Sequence, residues 1–312
     1  MELAKISLLQ VIILFIIIFF GFLLVKLKLI SMSAKGSLSN LLVYLVVPAM
    51  IINSYITEYD SNIMKNLLYC FLFSFIVLGI GLIAVMIITK FWHTEEKPIL
   101  RFAMIFSNAA YMGFPLIEAM YGSEGLIYAS AFVSVFNILL WTFGYACVSK
   151  TFRLKEVVRS ILKTPVIYAL AVGILIFFLQ IPVPTVIAKP LELIGSMNTP
   201  LSMIITGMVI ASCNFKAVLK NIYLWLCVGI RLIVVPLLCL GVLYLIKIWG
   251  NADSVVLQIV FILEACPCAA ITSIFAIKFK YNEDLAVCSV VFSTLLSIIS
   301  LPLFTLLIAN IL

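Results

Sequence analysis

Charged residues are scarce in this chain: Asp, Glu, Lys and Arg make up 11% of its 312 residues, against about 25% in a typical soluble domain. Hydrophobic residues make up 65%, and the mean hydropathy is +1.29. So few polar side chains cannot cover a water-soluble globule. The composition therefore excludes secreted disulfide scaffolds, coiled coils, disordered regulators and almost every class of soluble enzyme. It predicts an integral membrane protein.

The sequence also lacks a constellation of residues that could carry out catalysis. The single histidine, His93, lies in a basic connector, and no pair of acids is placed to face each other. No phosphate-binding G-x-x-x-x-G-K-[ST] pattern occurs in the sequence. We therefore predict no enzyme, no catalytic residue, no metal site and no cofactor. The net charge of +7 arises mostly in short connectors, which indicates cytoplasmic loops near anionic lipid and not a nucleic-acid partner.

The eight cysteines lie in or beside apolar segments and lack the spacing of an extracellular disulfide framework. Most of them are interpreted as small core hydrophobes.

Long apolar runs are abundant. Each approaches or exceeds the roughly 20 residues that span a bilayer as a helix, and in lipid only helices and closed barrels satisfy their backbone groups. We predict an all-α protein with ten transmembrane helices, one to ten in chain order, at 7–27, 37–56, 66–89, 99–119, 124–148, 163–180, 187–211, 219–246, 254–277 and 284–309.

The basic residues predict the orientation. With the N-terminus outside, the inside connectors and their edges hold 15 Lys and Arg residues and the outside ones hold 4. This asymmetry follows the positive-inside rule. We expect a multi-pass protein of the cytoplasmic membrane with both termini outside.

The largest basic cluster divides the chain into halves. We predict a first five-helix repeat at 1–148, a cytoplasmic linker at 149–162 and a second repeat at 163–312. An odd number of helices in each half gives related halves opposite orientations, which makes an inverted repeat.

Helices four and nine, which occupy corresponding places in the two halves, both carry helix-breaking residues. Helix four contains Gly113 and Pro115, with Asn108 nearby, and helix nine contains Glu264 and Pro267. Paired interruptions of this kind indicate a transporter's midplane binding site, and half-helix N-termini aimed at it favour an anion. The alternative is a pair of ordinary proline kinks.

The sequence around these residues resembles one family. The run Asn108-x-x-x-Met112-Gly113-x-Pro115-Leu116 is similar to the helix-four motif of plant PIN-formed auxin carriers. The run Glu264-Ala-Cys-Pro267-Cys-Ala-Ala, with Tyr281 and Asp284 beyond it, is similar to the bacterial branch of that family. The chain is identified as a prokaryotic member of the auxin efflux carrier family, without the long central loop of many plant members.

The resemblance implies a bile-acid-symporter-like, elevator-type carrier with broken, crossing helices four and nine. Helices one, two, six and seven would form a dimerising scaffold, and helices three to five and eight to ten the transport domain. The expected partners are a small organic anion such as malate or malonate, H⁺ or Na⁺ as a possible coupling ion, the lipid bilayer and a second copy of the chain.

The resemblance also implies roles for single residues. Asn108 matches the crossover asparagine, and Asn137 falls where plant members place a substrate-facing glutamine. Thr272 stands where those members have a second proline, so we expect this half of the crossover to be less broken. Asn108 and Asn137 could instead be interhelical hydrogen-bond partners, and Tyr111 could simply pack. The candidate substrate-binding residues are Asn108, Asn137, Tyr111, Gly113, Pro115, Pro267, Cys268 and Asn53.

Arg231 and Glu264 lie at similar depth in helices eight and nine, which predicts a buried ion pair. Three roles stay open: a fixed pair that positions the transport domain, attraction of the substrate carboxylate by Arg231, or proton uptake by Glu264.

Three other functions remain as alternatives. A sodium-coupled symporter of the bile-acid type would need a cluster of acidic and amide oxygens around the crossover. A membrane sensor or channel would bind a ligand without saturable flux. A soft-metal transporter would use Cys266-Pro267-Cys268, since thiolates suit Cu(I).

Overall fold

A computed structural model describes residues 2–149, 164–213, 215–250 and 252–312, which form helices without a β-strand among them. The cluster Lys150, Arg153, Lys155, Arg159 and Lys163, and with it nearly all of the expected linker, lies outside these residues. The helices are α1 (Glu2–Lys26), α2 (Ala34–Ser54), α3 (Ser61–Ile88), α4 (Lys97–Ile105), α5 (Ala109–Ser149), α6 (Pro165–Leu179), α7 (Thr185–Gly195), α8 (Asn198–Ser212), α9 (Phe215–Val218), α10 (Ile222–Trp249), α11 (Ser254–Ala265), α12 (Ile271–Phe279) and α13 (Glu283–Ile311).

Seven helical stretches in the described part of the chain are long and apolar enough to cross a membrane. They are α1, α2, α3, α5, α7 with α8, α10 and α13, while α6 and α11 are apolar but shorter. Their large hydrophobic side chains extend outward, as Leu9 and Phe20 of α1 do, which is costly in water and favourable in lipid. These features define a multi-pass membrane protein. The count of ten spans and the inverted repeat stay predictions.

Helix α5 contains the end of predicted helix four and all of helix five. The two parts meet at Gly122, which has φ +63° and ψ −152°. An L-residue rarely adopts that backbone conformation, so glycine allows the change of direction there.

Helices α1 and α8 pack at very close range. A Cβ on Gly207 of α8 would overlap the backbone carbonyl of Ile18 in α1. Only glycine permits this approach, which is typical of helix pairs in membranes.

The cysteines differ in part from the expectation. Cys70, Cys227, Cys239, Cys266 and Cys268 are buried free thiols, as expected of small core residues. However, Cys213 and Cys288 form a disulfide between the end of α8 and the first part of α13, with Cα atoms 5.8 Å apart. Sequence spacing cannot reveal this pair because packing alone brings together two residues that are 75 positions apart.

Candidate functional site

Two helix breaks cross at the centre of the molecule. The first separates α4 from α5 at residues 106–108, and the second separates α11 from α12 at residues 266–270. The backbone amide of Asn108 donates to the Pro267 carbonyl at 2.7 Å, and the backbone amide of Ala269 donates to the Phe106 carbonyl at 2.9 Å. This short antiparallel bridge satisfies backbone groups that the breaks release, which is required at bilayer depth.

The two prolines relate differently to the breaks. Pro267 lies within the second break, whereas Pro115 lies inside α5, seven residues after Asn108. A π-helical turn at Ala109–Gly113 precedes Pro115 and accommodates the proline, which cannot donate a backbone hydrogen bond. Five residues separate α11 from α12 and three separate α4 from α5, so the break before Thr272 is the longer of the two in this chain. The expectation that this half is less broken than in plant members stays a prediction.

Arg231 of α10 joins the two breaks on one side. Its guanidinium donates to the carbonyls of Met104 and Ile105 at the end of α4, at 3.1 and 3.0 Å. It also donates to the carbonyls of Cys266, at 3.0 Å, and Glu264 at the end of α11. Helix ends leave their last carbonyls unpaired and carry partial negative charge. One buried arginine therefore caps two half-helices.

The side chains of Arg231 and Glu264 form an ion pair at 3.0 Å with no solvent exposure of either. The other carboxylate oxygen of Glu264 has no hydrogen-bond partner among the described residues. Neither side chain lines the cavity beside the crossover. Of the three roles left open for this pair, the geometry agrees best with a fixed structural one.

A cavity of about 380 Å³ lies beside the crossover, against the beginnings of α5 and α12. We call it the crossover cavity. Its walls come from the N-terminal half of α2, the beginning of α5, the middle of α5, the beginning of α6, part of α8 and the beginning of α12. Its size suits a small ligand, and its wall is mostly apolar with a few polar groups, as in most small-molecule sites. The polar members are Lys35, Ser39, Asn40, Tyr44, Ser107, Asn108, Tyr111, Asn137, Trp141 and Thr164.

Three of the sequence-predicted residues line this cavity: Asn108, Tyr111 and Asn137. Asn108 is 4% exposed, and its side-chain amide nitrogen has no partner among the described residues. Asn137 donates to the Val133 carbonyl of its own helix at 2.8 Å. Tyr111 lies against Ser39 of α2. A buried amide donor without a partner is costly unless a ligand or water completes it.

The beginnings of α5 and α12 both border the cavity, through Ala110 and Tyr111 on one side and Ala270 and Ile271 on the other. The N-terminus of a helix carries partial positive charge. The cavity thus combines two positive helix ends with a free amide donor, which favours an anion.

The structure places the other five predicted residues outside the cavity wall. Gly113 packs against Leu263 of α11, where a Cβ would stand 2.6 Å from that side chain. The backbone amide of Cys268 donates to Ser293 Oγ at 3.1 Å. Pro115 and Pro267 contribute backbone carbonyls, to Gln10 and to Asn108 respectively. Asn53, near the end of α2, also lies away from the cavity.

Sequence reasoning did not recognise Lys35 as a site residue. It assigned Lys35 to the first inside connector, whereas the structure places it in the first turn of α2 and on the cavity wall. The signal was its position only two residues before predicted helix two. Over the described ranges, the structure contains no group of three or more His, Cys, Asp or Glu side chains that could hold a metal ion.

Apolar spanning helices around a central cavity at a helix crossover define a membrane transport protein as the class. The chain matches the family described as membrane transport protein in two overlapping stretches, residues 6–152 and 149–305. It belongs to this family, the auxin efflux carriers.

A similar protein is an uncharacterized transporter of Methanothermobacter thermautotrophicus, which is 28% identical over 203 residues. The alignment covers 64% of this chain and 64% of the archaeal protein. The similarity agrees with the family assignment and names no substrate.

Proposed function

We propose that the protein is a secondary carrier that moves a small organic anion, a carboxylate such as malate or malonate, across the cytoplasmic membrane by alternating access. The substrate binds in the crossover cavity. The observation that carries the proposal is the side-chain amide nitrogen of Asn108, which has no partner among the described residues and lies beside two positive helix ends. These groups bind a carboxylate without the cost of reorganising the site.

The proposed movement is of the elevator type. Predicted helices one, two, six and seven form the scaffold, and the crossover with its surrounding helices carries the substrate past it. The cavity supports this division because α2, α6 and α8 form one part of its wall, and the two helix breaks together with the middle of α5 form the other. We further propose an inverted repeat, both termini outside, and a homodimer built on the scaffold.

The test is transport by purified protein in liposomes. The substrates are malate, malonate, lactate, citrate and indole-3-acetate, with and without imposed pH and Na⁺ gradients. We expect saturable transport of at least one of these acids by the wild type and a loss of about tenfold or more in Asn108→Ala. The dependence on the gradients separates uniport from coupling to H⁺ or Na⁺.

Asn310→Ala is the matched control, because Asn310 is exposed near the end of α13 and does not line the cavity. Ligand binding without saturable flux would replace the proposal with a sensor or channel. Transport of none of the acids by folded protein in both orientations would overturn the anion carrier.

A further inference from the structure

The crossover cavity contains a positive charge as well as helix ends. Of the described residues that form its wall, only Lys35 is charged. Lys35 is half-buried in the first turn of α2, and its ammonium group reaches α12 of the second broken helix. A lysine in such a place loses part of its hydration and needs acceptors in exchange.

The ammonium group of Lys35 has few acceptors. Its nitrogen donates to Ser273 Oγ of α12 at 3.3 Å, and that hydroxyl itself donates to the Ala270 carbonyl at 2.9 Å. The charge of Glu283 acts on Lys35 from a distance. The two do not form an ion pair, because the side-chain ion pairs among the described residues are Lys189–Glu192 and Arg231–Glu264. A lysine has three N–H donors. One long bond to a neutral hydroxyl therefore leaves most of its capacity for a ligand.

Lys35 and Asn108 belong to different walls of the same cavity, Lys35 to α2 and Asn108 to the crossover. A carboxylate at the crossover uses the Asn108 amide and the two helix ends. A second anionic group on the same substrate would then meet the Lys35 ammonium in place of Ser273. A charge-assisted hydrogen bond in a partly buried site is stronger than a neutral one.

We propose that Lys35 is a specificity-determining residue that binds the second carboxylate of the substrate, so that the carrier prefers dianions to monoanions. This inference rests on the proposed transport of carboxylates through the crossover cavity. It adds a separate expectation, since a carrier of monoanions would satisfy the proposed function without using Lys35.

The test compares malonate with acetate as transported substrates in liposomes. In the wild type, we expect the KM for malonate to be at least about tenfold below that for acetate. In Lys35→Gln the KM for malonate rises about 10- to 100-fold, while the KM for acetate changes by less than about threefold. Lys35→Arg retains the preference because it keeps the charge.

Lys220→Gln is the matched control, because Lys220 is exposed and does not line the cavity. Thermal stabilisation of each purified variant by malonate and by acetate reports binding independently of flux, so a variant that is folded but slow is still informative.

The outcomes separate the two proposals. A wild type that transports acetate and malonate equally well would leave the carrier intact and overturn the role of Lys35. An equal rise of both KM values in Lys35→Gln would also overturn it, because a merely structural lysine does not change selectivity. A wild type that moves none of the carboxylates, malonate and acetate included, would overturn the proposed function and this inference with it.

Discussion

The two sides of the helix crossover are built in opposite ways. On one side, the carbonyl ends of α4 and α11 are capped by Arg231, which is fully buried and paired with Glu264. On the cavity side, the beginnings of α5 and α12 border the crossover cavity, and the side-chain amide nitrogen of Asn108 has no partner within the described residues. The negative helix ends are thus neutralised by the protein itself, and the positive ends remain for a ligand.

We call the side capped by Arg231 the closed side of the crossover. Substitutions there should change mainly the stability of the protein. We expect Arg231→Met to lower the free energy of unfolding by about 3–5 kcal/mol, because it leaves Glu264 as an unpaired buried charge and removes the donor from several carbonyls. Thermal unfolding of the purified protein in detergent measures this effect.

Arg101→Met is the control for the loss of Arg231. Arg101 is half-buried and, among the described residues, bonds Thr89 Oγ1 and the Met86 carbonyl, so its loss should cost no more than about 1–2 kcal/mol. If Arg231→Met unfolds at the wild-type temperature and yet abolishes anion transport, Arg231 binds the substrate and the closed side is not merely structural.

We call the side that borders the crossover cavity the open side. Substitutions there should change mainly the rate of transport. Replacing Asn108 by Ala removes an amide nitrogen that bonds no described residue, so the unfolding temperature should stay close to that of the wild type while transport falls about 10- to 100-fold. Asn108→Asp should reduce anion transport further, since it places a negative charge against a negative substrate. Unfolding and uptake are measured on the same preparations. A large loss of stability in Asn108→Ala, with transport that falls only in proportion to the folded fraction, would make Asn108 a structural residue.

How much of this arrangement the sequence predicts depends on the range of the interactions. Proline and glycine act on their own helices, so the interruptions of helices four and nine were predicted from local residues. The partners of Arg231 are different: Met104 and Ile105 are more than 120 residues away. Sequence analysis paired Arg231 with Glu264 by depth but could not foresee that it caps two helix ends. The disulfide between Cys213 and Cys288 was missed for the same reason.

Lys35 shows a second limit of prediction from the sequence. Rules for orientation treat every lysine near a helix end as part of a loop. The first turn of α2 is a border case, because such a residue can face either the solvent or the inside of the bundle. Only the packing of α2 against the crossover decides that Lys35 faces the cavity.

Replacing Glu264 by Gln tests whether the closed side takes part in coupling transport to protons. Gln at this position keeps an acceptor for Arg231 and removes the titrating group, so we expect a loss of about 1–2 kcal/mol in stability. Transport should retain more than about half of the wild-type rate, with an unchanged profile from about pH 5 to about pH 8. Uptake measured across that range provides the check. Transport that becomes independent of pH only in Glu264→Gln would assign proton uptake to Glu264.

The smallest expected effect concerns Asn137, whose amide already bonds the Val133 carbonyl one turn earlier at 2.8 Å. Because its donor is occupied, Asn137 can offer a ligand mainly its side-chain oxygen and the second N–H, so Asn137→Ala should raise the substrate KM only about two- to fivefold.

Asn310 is a close control for Asn137, since it makes the same bond to the Leu306 carbonyl one turn earlier, at 2.9 Å, but lies outside the cavity. Both side chains make the same type of bond within their own helix. A difference in KM between Asn137→Ala and Asn310→Ala therefore measures the contribution of Asn137 to substrate binding from its position on the cavity wall. Equal KM values in the two variants would remove Asn137 from the site, because only its position on the cavity wall distinguishes it from Asn310. The ligand would then be held by the crossover and Lys35 without help from the middle of α5.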